Sequence, residues 1–310
     1  MIQTTHPTSR LPSTGADPRG TAHKALIVTA IAAAAFATQQ ASAQIATDDF
    51  NSYSVGSIDG QSGGSGWAGA WTSDPNQTQH TQVVGTSITY DLEGTTLGGG
   101  NSLQLSNNGS ILGRDVFSSV QTGGQDYYLS FIFQSNSGGD ASTNASNFTA
   151  WRADDTTGDY STGDYAVSRG VINSSTAQAR VGATTASTDS GLIQQATTYF
   201  MVIGFLDYDG GSGTYTTTKT WLNPGTGDEN TTDSTIVATA TGTGGSAGFQ
   251  GIAARGNSLS VTEVILFDDF KVGTTFDSVV PVSVPEPSAY ALLFGAATLG
   301  FVACGKRRRS

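Results

Sequence analysis

Residues 127–134 read Tyr-Tyr-Leu-Ser-Phe-Ile-Phe-Gln, and residues 199–205 read Tyr-Phe-Met-Val-Ile-Gly-Phe. Tyr127, Leu129, Phe131 and Phe133 recur at every second position, as do Tyr199, Met201, Ile203 and Phe205. Successive side chains of a strand point to opposite faces, so each set lines one face of a sheet. Outward from these two segments, short runs of β-branched, aromatic and apolar residues alternate with clusters of Gly, Asn, Asp and Ser. Strands are predicted at 45–50, 82–90, 101–106, 111–117, 126–134, 147–153, 165–172, 177–183, 197–207, 214–222, 234–240, 247–254 and 259–272. No long window between the two apolar ends of the chain carries a 3.6-residue period. Short strands at turn-punctuated spacing predict an all-β jelly-roll sandwich of two antiparallel sheets rather than a parallel α/β sheet.

The composition agrees. Of 310 residues, 40 are Gly, only 13% are charged and two are Met, a poor supply of helix formers. No second domain boundary is visible in residues 44–281, and sandwiches of this size are routinely single domains. The one Cys, Cys304, lies in the terminal apolar run, which excludes disulfides, zinc knuckles and thiol catalysis from the body of the chain.

The formal net charge is −11, but its distribution is uneven. Residues 44–288 hold 7 basic and 24 acidic side chains, a net of −17. Such a surface repels phosphate backbones, whose binding needs Lys and Arg to release counterions, so nucleic acid is not an expected partner. Anionic polysaccharide is repelled by the same field unless divalent cations bridge the two.

The remaining cations flank two apolar segments. Arg10, Arg19 and Lys24 precede Ala25–Ala37 (ALIVTAIAAAAFA), which is followed by Ala41-Ser42-Ala43. A basic approach, an apolar core and a small-x-small exit predict a signal helix cleaved by signal peptidase after Ala43, with Ala41 and Ala43 as the recognised pair. At the other end, Pro285-Glu286-Pro287 precedes an apolar run, 289–304, closed by Lys306, Arg307, Arg308 and Arg309. Sixteen helical residues span roughly 24 Å, and snorkelling of the basic stems covers part of the shortfall against a hydrocarbon core of about 30 Å. The positive-inside rule leaves the body outside.

The Pro-Glu-Pro motif, the apolar helix and the basic stop, in that order, closely resemble the PEP-CTERM sorting signal of Gram-negative bacteria. The resemblance implies an exported chain, anchored in the inner membrane through its C-terminal helix before an exosortase processes it. It then reaches the cell surface or the medium. A second resemblance is to LamG-like or concanavalin A-like sandwich domains. It is carried by Asp48–Trp71 (DDFNSY…GQSGGSGWAGAW), by Ser102–Phe117 with Arg114, by Tyr127–Gln134, by Trp221-Leu222-Asn223-Pro224-Gly225 and by the closing LFDDFKVGTTFDSVVP. It implies that the terminal strands pair, bringing Asp48-Asp49-Phe50 and Asp268-Asp269-Phe270 together at a sheet edge.

Candidate chemistry in the body is sparse. Gly64-x-Gly66-x-x-Gly69 matches a dinucleotide fingerprint as a string, but lacks the strand before it and the helix after it that such a site needs. It reads instead as a tight loop placing Trp67 and Trp71. His80, in a polar context, is the only histidine left after processing, which argues against a Ser-His-Asp triad. Glycoside hydrolysis needs two carboxylates about 5 to 9.5 Å apart; the nearest approach is Glu263 and Asp269 on one strand face, with Ile265 and Phe267 between them. Asp207 and Asp209 have the alternating carboxylates and following glycines of a calcium loop, or, on the plainer reading, form a hairpin turn. Asp154-Asp155 and Asp159 are equally ambiguous. Trp67 and Trp71 are the candidate sugar-stacking platforms, against the alternative that sandwich tryptophans are packing residues.

These features predict a non-catalytic, exosortase-sorted protein of the envelope or matrix, partnered by exopolysaccharide and requiring no cofactor, with Ca2+ the one ion for which a motif exists. A lectin-like carbohydrate-binding module is the more specific form, and a glycan-active hydrolase or lyase is the rival class.

Overall fold

A computed structural model describes residues 44–76, 78–106, 111–137, 148–154, 168–173, 176–188, 193–257, 259 and 263–281. The signal segment with Ala41 and Ala43, the stretch Asp155–Asp159, the Pro285-Glu286-Pro287 motif, the apolar run 289–304 and the basic cluster Lys306–Arg309 lie outside the described residues. Among the described residues, no helix is long and apolar enough to cross a membrane.

The chain forms strands β1 (Gln44–Asp48), β2 (Gly56–Ser57), β3 (Thr72–Ser73), β4 (Thr81–Val84), β5 (Thr89–Leu92), β6 (Thr95–Gly98), β7 (Ser102–Ser106), β8 (Ile111–Asp115) and β9 (Tyr127–Ser137). It continues with β10 (Phe148–Asp154), β11 (Arg169–Asn173), β12 (Thr176–Val181), β13 (Thr184–Ser187), β14 (Thr198–Asp209), β15 (Thr214–Leu222), β16 (Val237–Thr241), β17 (Gly251–Asn257) and β18 (Glu263–Gly273). A single helical turn, α1 (Phe276–Val279), follows. One sheet has the order β16-β15-β14-β9-β18-β7-β4-β2 with β1 also beside β18; the other runs β13-β12-β11-β10-β17-β8-β3. The fold is therefore the expected all-β sandwich of two antiparallel sheets. The predicted strand 82–90 breaks at Gly85 into β4 and β5. The short strands β2, β3, β6 and β13 escape a sequence reading because two to four residues carry too little period to detect.

The alternating residues that announce β9 and β14 face the second sheet. Met201 sits opposite Phe131 and Ile203 opposite Leu129, and both rows join one core with Trp151 of β10, Ile172 of β11 and Ile252 of β17. Trp151 lies at the centre, its ring 4.8 Å from Phe270 and 5.3 Å from Phe267. Rings in such tilted and edge-on contacts add about 0.5–1.5 kcal/mol per pair beyond area burial.

Beneath the larger sheet lies a third layer. Tyr128, Ile132, Phe200 and Val202, the other phase of β9 and β14, pack against Ile88, Leu92 and Leu97 of the β5–β6 region and Phe276 and Val279 of α1. A strand covered on both faces reads as a nearly continuous apolar run, as 127–133 and 199–206 do.

Strand β1 pairs with β18, Asp48 opposite Phe270. The two Asp-Asp-Phe segments meet as expected, on the side of β18 that β1 and β7 share along its length, and among the described residues β18 is the one strand that β1 pairs with. The register of β18 against β9 shifts between Asp268 and Lys271, and Asp269 adopts a left-handed φ of 52°. This bulge lets Phe267 and Phe270 both enter the core. It also breaks the strand face on which Glu263 and Asp269 were to lie together, so that expectation is corrected.

Candidate functional site

The local structure around Asp48 begins with phase. In β8, Leu112 enters the core, so Arg114, two residues on, enters the same side, where it is 2% exposed. A guanidinium so placed needs an anion and acceptors, and the first strand and its following loop supply them. Arg114 Nη1 donates to Asp48 Oδ2 at 2.5 Å and to Tyr53 Oη at 2.6 Å. Arg114 Nε donates to the Gly69 carbonyl and Nη2 to the Gly63 carbonyl, each at 2.9 Å. Tyr53 Oη and Trp71 Nε1 also donate to Asp48 Oδ2, and the Phe50 amide to Oδ1. Burial pushes the Asp48 carboxyl up from its usual range while Tyr53 and Arg114 pull it back. Burial and the Asp48 carboxylate drive the Tyr53 hydroxyl well above its ordinary value, so it keeps its proton and donates it to Asp48 while accepting from Arg114 and Trp71.

The same guanidinium stacks on two indoles, 4.8 Å from the Trp67 ring centroid and 5.7 Å from that of Trp71. The glycine-rich loop is thereby moulded around Arg114. Ser65 exchanges backbone hydrogen bonds with Thr47, and Gly64 and Gly66 have positive φ, where a β-carbon would run into the carbonyl oxygens of Thr47 and Ile45. These glycines permit close approach of the loop to β1, as the tight-loop reading of this stretch required.

Above this clasp is an open cleft of about 460 Å³ lined by residues 62–70 and Arg114. Its walls are peptide groups and small side chains with one large ring, that of half-buried Trp67, whose Nε1 is anchored to the Thr47 carbonyl at 2.8 Å. Among the described residues of the lining, Arg114 is the only charged side chain, and guanidinium does not release a proton in proteins.

The other candidates fare differently. Trp71 is fully buried, as are Trp151 and Trp221. Its expected role as a sugar platform is corrected: its ring forms part of the core and its N–H is spent on Asp48 and Tyr53. Asp209 turns the β14–β15 hairpin, its carboxylate accepting from the amides of Gly211 at 2.9 Å and Ser212 at 3.1 Å, which lowers its pKa. The Asp207 amide donates to Asp126 Oδ1. Asp209 thus forms the turn of the hairpin reading, and among the described residues no group of three His, Cys, Asp or Glu side chains is arranged to hold a metal ion. His80 Nδ1 is 3.5 Å from Ser106 Oγ, longer than the 2.6–3.2 Å that activates a hydroxyl.

No protein-family model matches the chain, and no curated protein matches it. Its likeness is to solved β-sandwich structures. The binding domain of botulinum neurotoxin serotype D aligns at 9% identity and TM-score 0.40, over 75% of this chain and 48% of that one. The chain thus spans about half the length of that structure. The metal-free exoplasmic/lumenal domain of VIP36 aligns at 9% identity and TM-score 0.39, over 68% and 94% of the two chains. Arcelin-5, a lectin-like defence protein from Phaseolus vulgaris, aligns at 9% and 0.36, over 63% and 92%.

The Asp48–Arg114 pair was missed from sequence, although Leu112, Arg114 and Val116 share the inward phase of one strand. A charged residue on an apolar phase was the available signal.

Proposed function

We propose that this chain is a non-catalytic, lectin-like carbohydrate-binding module, exported and sorted through its Pro285-Glu286-Pro287 tail. The observation that carries the binding reading is the lining of the Trp67 cleft. Among its described residues it offers one aromatic face, many peptide donors and acceptors and no group able to exchange a proton near neutral pH. That set suits a neutral sugar ring held by stacking and hydrogen bonds, and it disfavours the glycan-hydrolase reading, which needs a carboxylate pair at the site.

Trp67→Ala is expected to weaken glycan binding at least tenfold on an array, about 1.4 kcal/mol, with far-ultraviolet circular dichroism unchanged. Trp67→Phe, which keeps a ring, is expected to retain part of the affinity. Release of reducing ends from a bound glycan would instead make the protein an enzyme. The sorting reading rests on the tail motif. Deleting Pro285–Pro287 is expected to leave the chain membrane-bound and unprocessed in its host, measured by fractionation and C-terminal immunoblotting; unchanged processing would remove that part of the proposal.

A further inference from the structure

We propose that the Trp67 cleft selects sugars that carry an acetamido group. The inference rests on the carbohydrate-binding reading of this cleft and names the class of sugar it takes. The deciding feature is how the loop spends its peptide groups. Ser65 uses both its N–H and its C=O on Thr47. The carbonyls of Gly63 and Gly69 accept from Arg114, and the Ala68 amide donates to the Asp115 carbonyl at 3.0 Å. The amides of Gly64, Gly66, Trp67 and Gly69, and the carbonyls of Gly64, Gly66, Trp67 and Ala68, bond to no other described residue. Gly64, Gly66 and Gly69 are exposed and have no side chain to cover these groups. The cleft wall therefore presents peptide donors and peptide acceptors together.

Hydroxyl pairs and acetamido groups ask different things of such a wall. Neighbouring sugar hydroxyls are held best by a carboxylate or a side-chain amide, and the described lining contains no Asp, Glu, Asn or Gln. An acetamido group carries one N–H and one C=O in a fixed plane, the complement of a peptide unit, so it answers both kinds of group at once. Bare glycine backbone lets a ligand approach within hydrogen-bond distance. The acetamido methyl group needs an apolar contact, and Trp67 supplies it. Its Nε1 is anchored to the Thr47 carbonyl and the Arg114 guanidinium stacks on its ring, so the indole is held in place before the ligand arrives and loses little freedom on binding. An acidic sugar gains less here. Asp48 Oδ2, 2.5 Å from Arg114 Nη1, already answers the one cation of the lining, and the acidic body repels anions.

The test is isothermal titration calorimetry of the full chain in mild detergent with three probes: tri-N-acetylchitotriose, cellotriose, which has a hydroxyl where each acetamido group stands, and a blocked triglycine peptide. The acetamido trisaccharide should bind about tenfold more tightly than cellotriose, the worth of a pair of neutral hydrogen bonds, and more tightly than the peptide. Gly69→Leu should abolish this preference without changing the unfolding temperature. No atom lies within 4 Å of where a β-carbon at Gly69 would stand, and its φ is not left-handed, so the new side chain enters open space beside the exposed peptide groups while Trp67 stays in place. Equal binding of the two trisaccharides, both lost in Trp67→Ala, would overturn the acetamido proposal and leave the cleft reading intact. A preference that survives Gly69→Leu would overturn it too, by placing the selection away from this wall. Tighter binding of the peptide would make the cleft a peptide site instead. Binding of none of the three probes would also sink the proposal, and the cleft reading would then stand only on a different glycan whose binding depends on Trp67.

Discussion

Arg114→Met should cost about 3–5 kcal/mol of stability, the range for breaking a buried ion pair by removing one partner. The loss has three parts that act together. Asp48, 1% exposed, is left as a buried carboxylate without its counter-charge. The Gly63 and Gly69 carbonyls lose their donors. Trp67 and Trp71 lose the cation between them and the loop. Urea unfolding gives the difference directly, and a loss below about 1 kcal/mol would mean that the clasp is solvated and the cleft above it not rigid. Arg114→Met/Asp48→Asn should be less destabilised than the sum of the single variants, because each alone strands its partner and the two are in contact. A simple sum would show that the pair is not coupled.

The second large effect is a pH dependence centred on Asp268. This residue is fully buried, its carboxylate accepting from the amides of Gly99 at 3.0 Å and Asp269 at 2.7 Å. Its pKa is pushed up to about 8, above all by burial, with the two amides opposing the rise and the nearby carboxylates of Asp269 and Asp49 adding to it. Between the unfolded value near 3.8 and about 8, the folded state holds a proton that the unfolded state has released. Stability therefore falls as pH rises through that window and levels off above it. At about 1.4 kcal/mol per unit the ceiling is about 6 kcal/mol, reduced by the penetration of water. Asp268→Asn should remove most of this slope. Relative to the native chain it should gain stability as pH increases from 5 to 9, by urea midpoints at matched ionic strength. Parallel midpoint curves for the two proteins would show that Asp268 is ionised in the fold throughout.

Both effects bear on the cleft only through rigidity. The clasp holds the 62–70 loop against β1, and the Asp268 bulge holds β18 so that β1 can pair with it. Neither residue offers a free proton-transfer group to the cleft, in keeping with the binding function proposed.

The sandwich itself was legible from Tyr127, Leu129, Phe131 and Phe133 and their counterparts in β14, because period two is a property of a few neighbouring residues and survives whatever the rest of the chain does. The hairpin at Asp209 was legible for the same reason: turn chemistry is local. The excess of acidic residues and the two terminal segments with their basic flanks were likewise written in composition and order. What could not be read locally was which phase meets which partner. Trp67 and Trp71 are four residues apart in the same loop, yet one lines a cleft and the other is fully buried, because Asp48 and Arg114, 66 positions apart, draw Trp71 inward. Asp268 and Asp269 are adjacent, but a bulge sends only one into the interior. Arg169 and Arg180 stand opposite each other only because β11 and β12 pair in one register, and register is a property of the assembled sheet: a slip of one residue would have put each side chain on the other face.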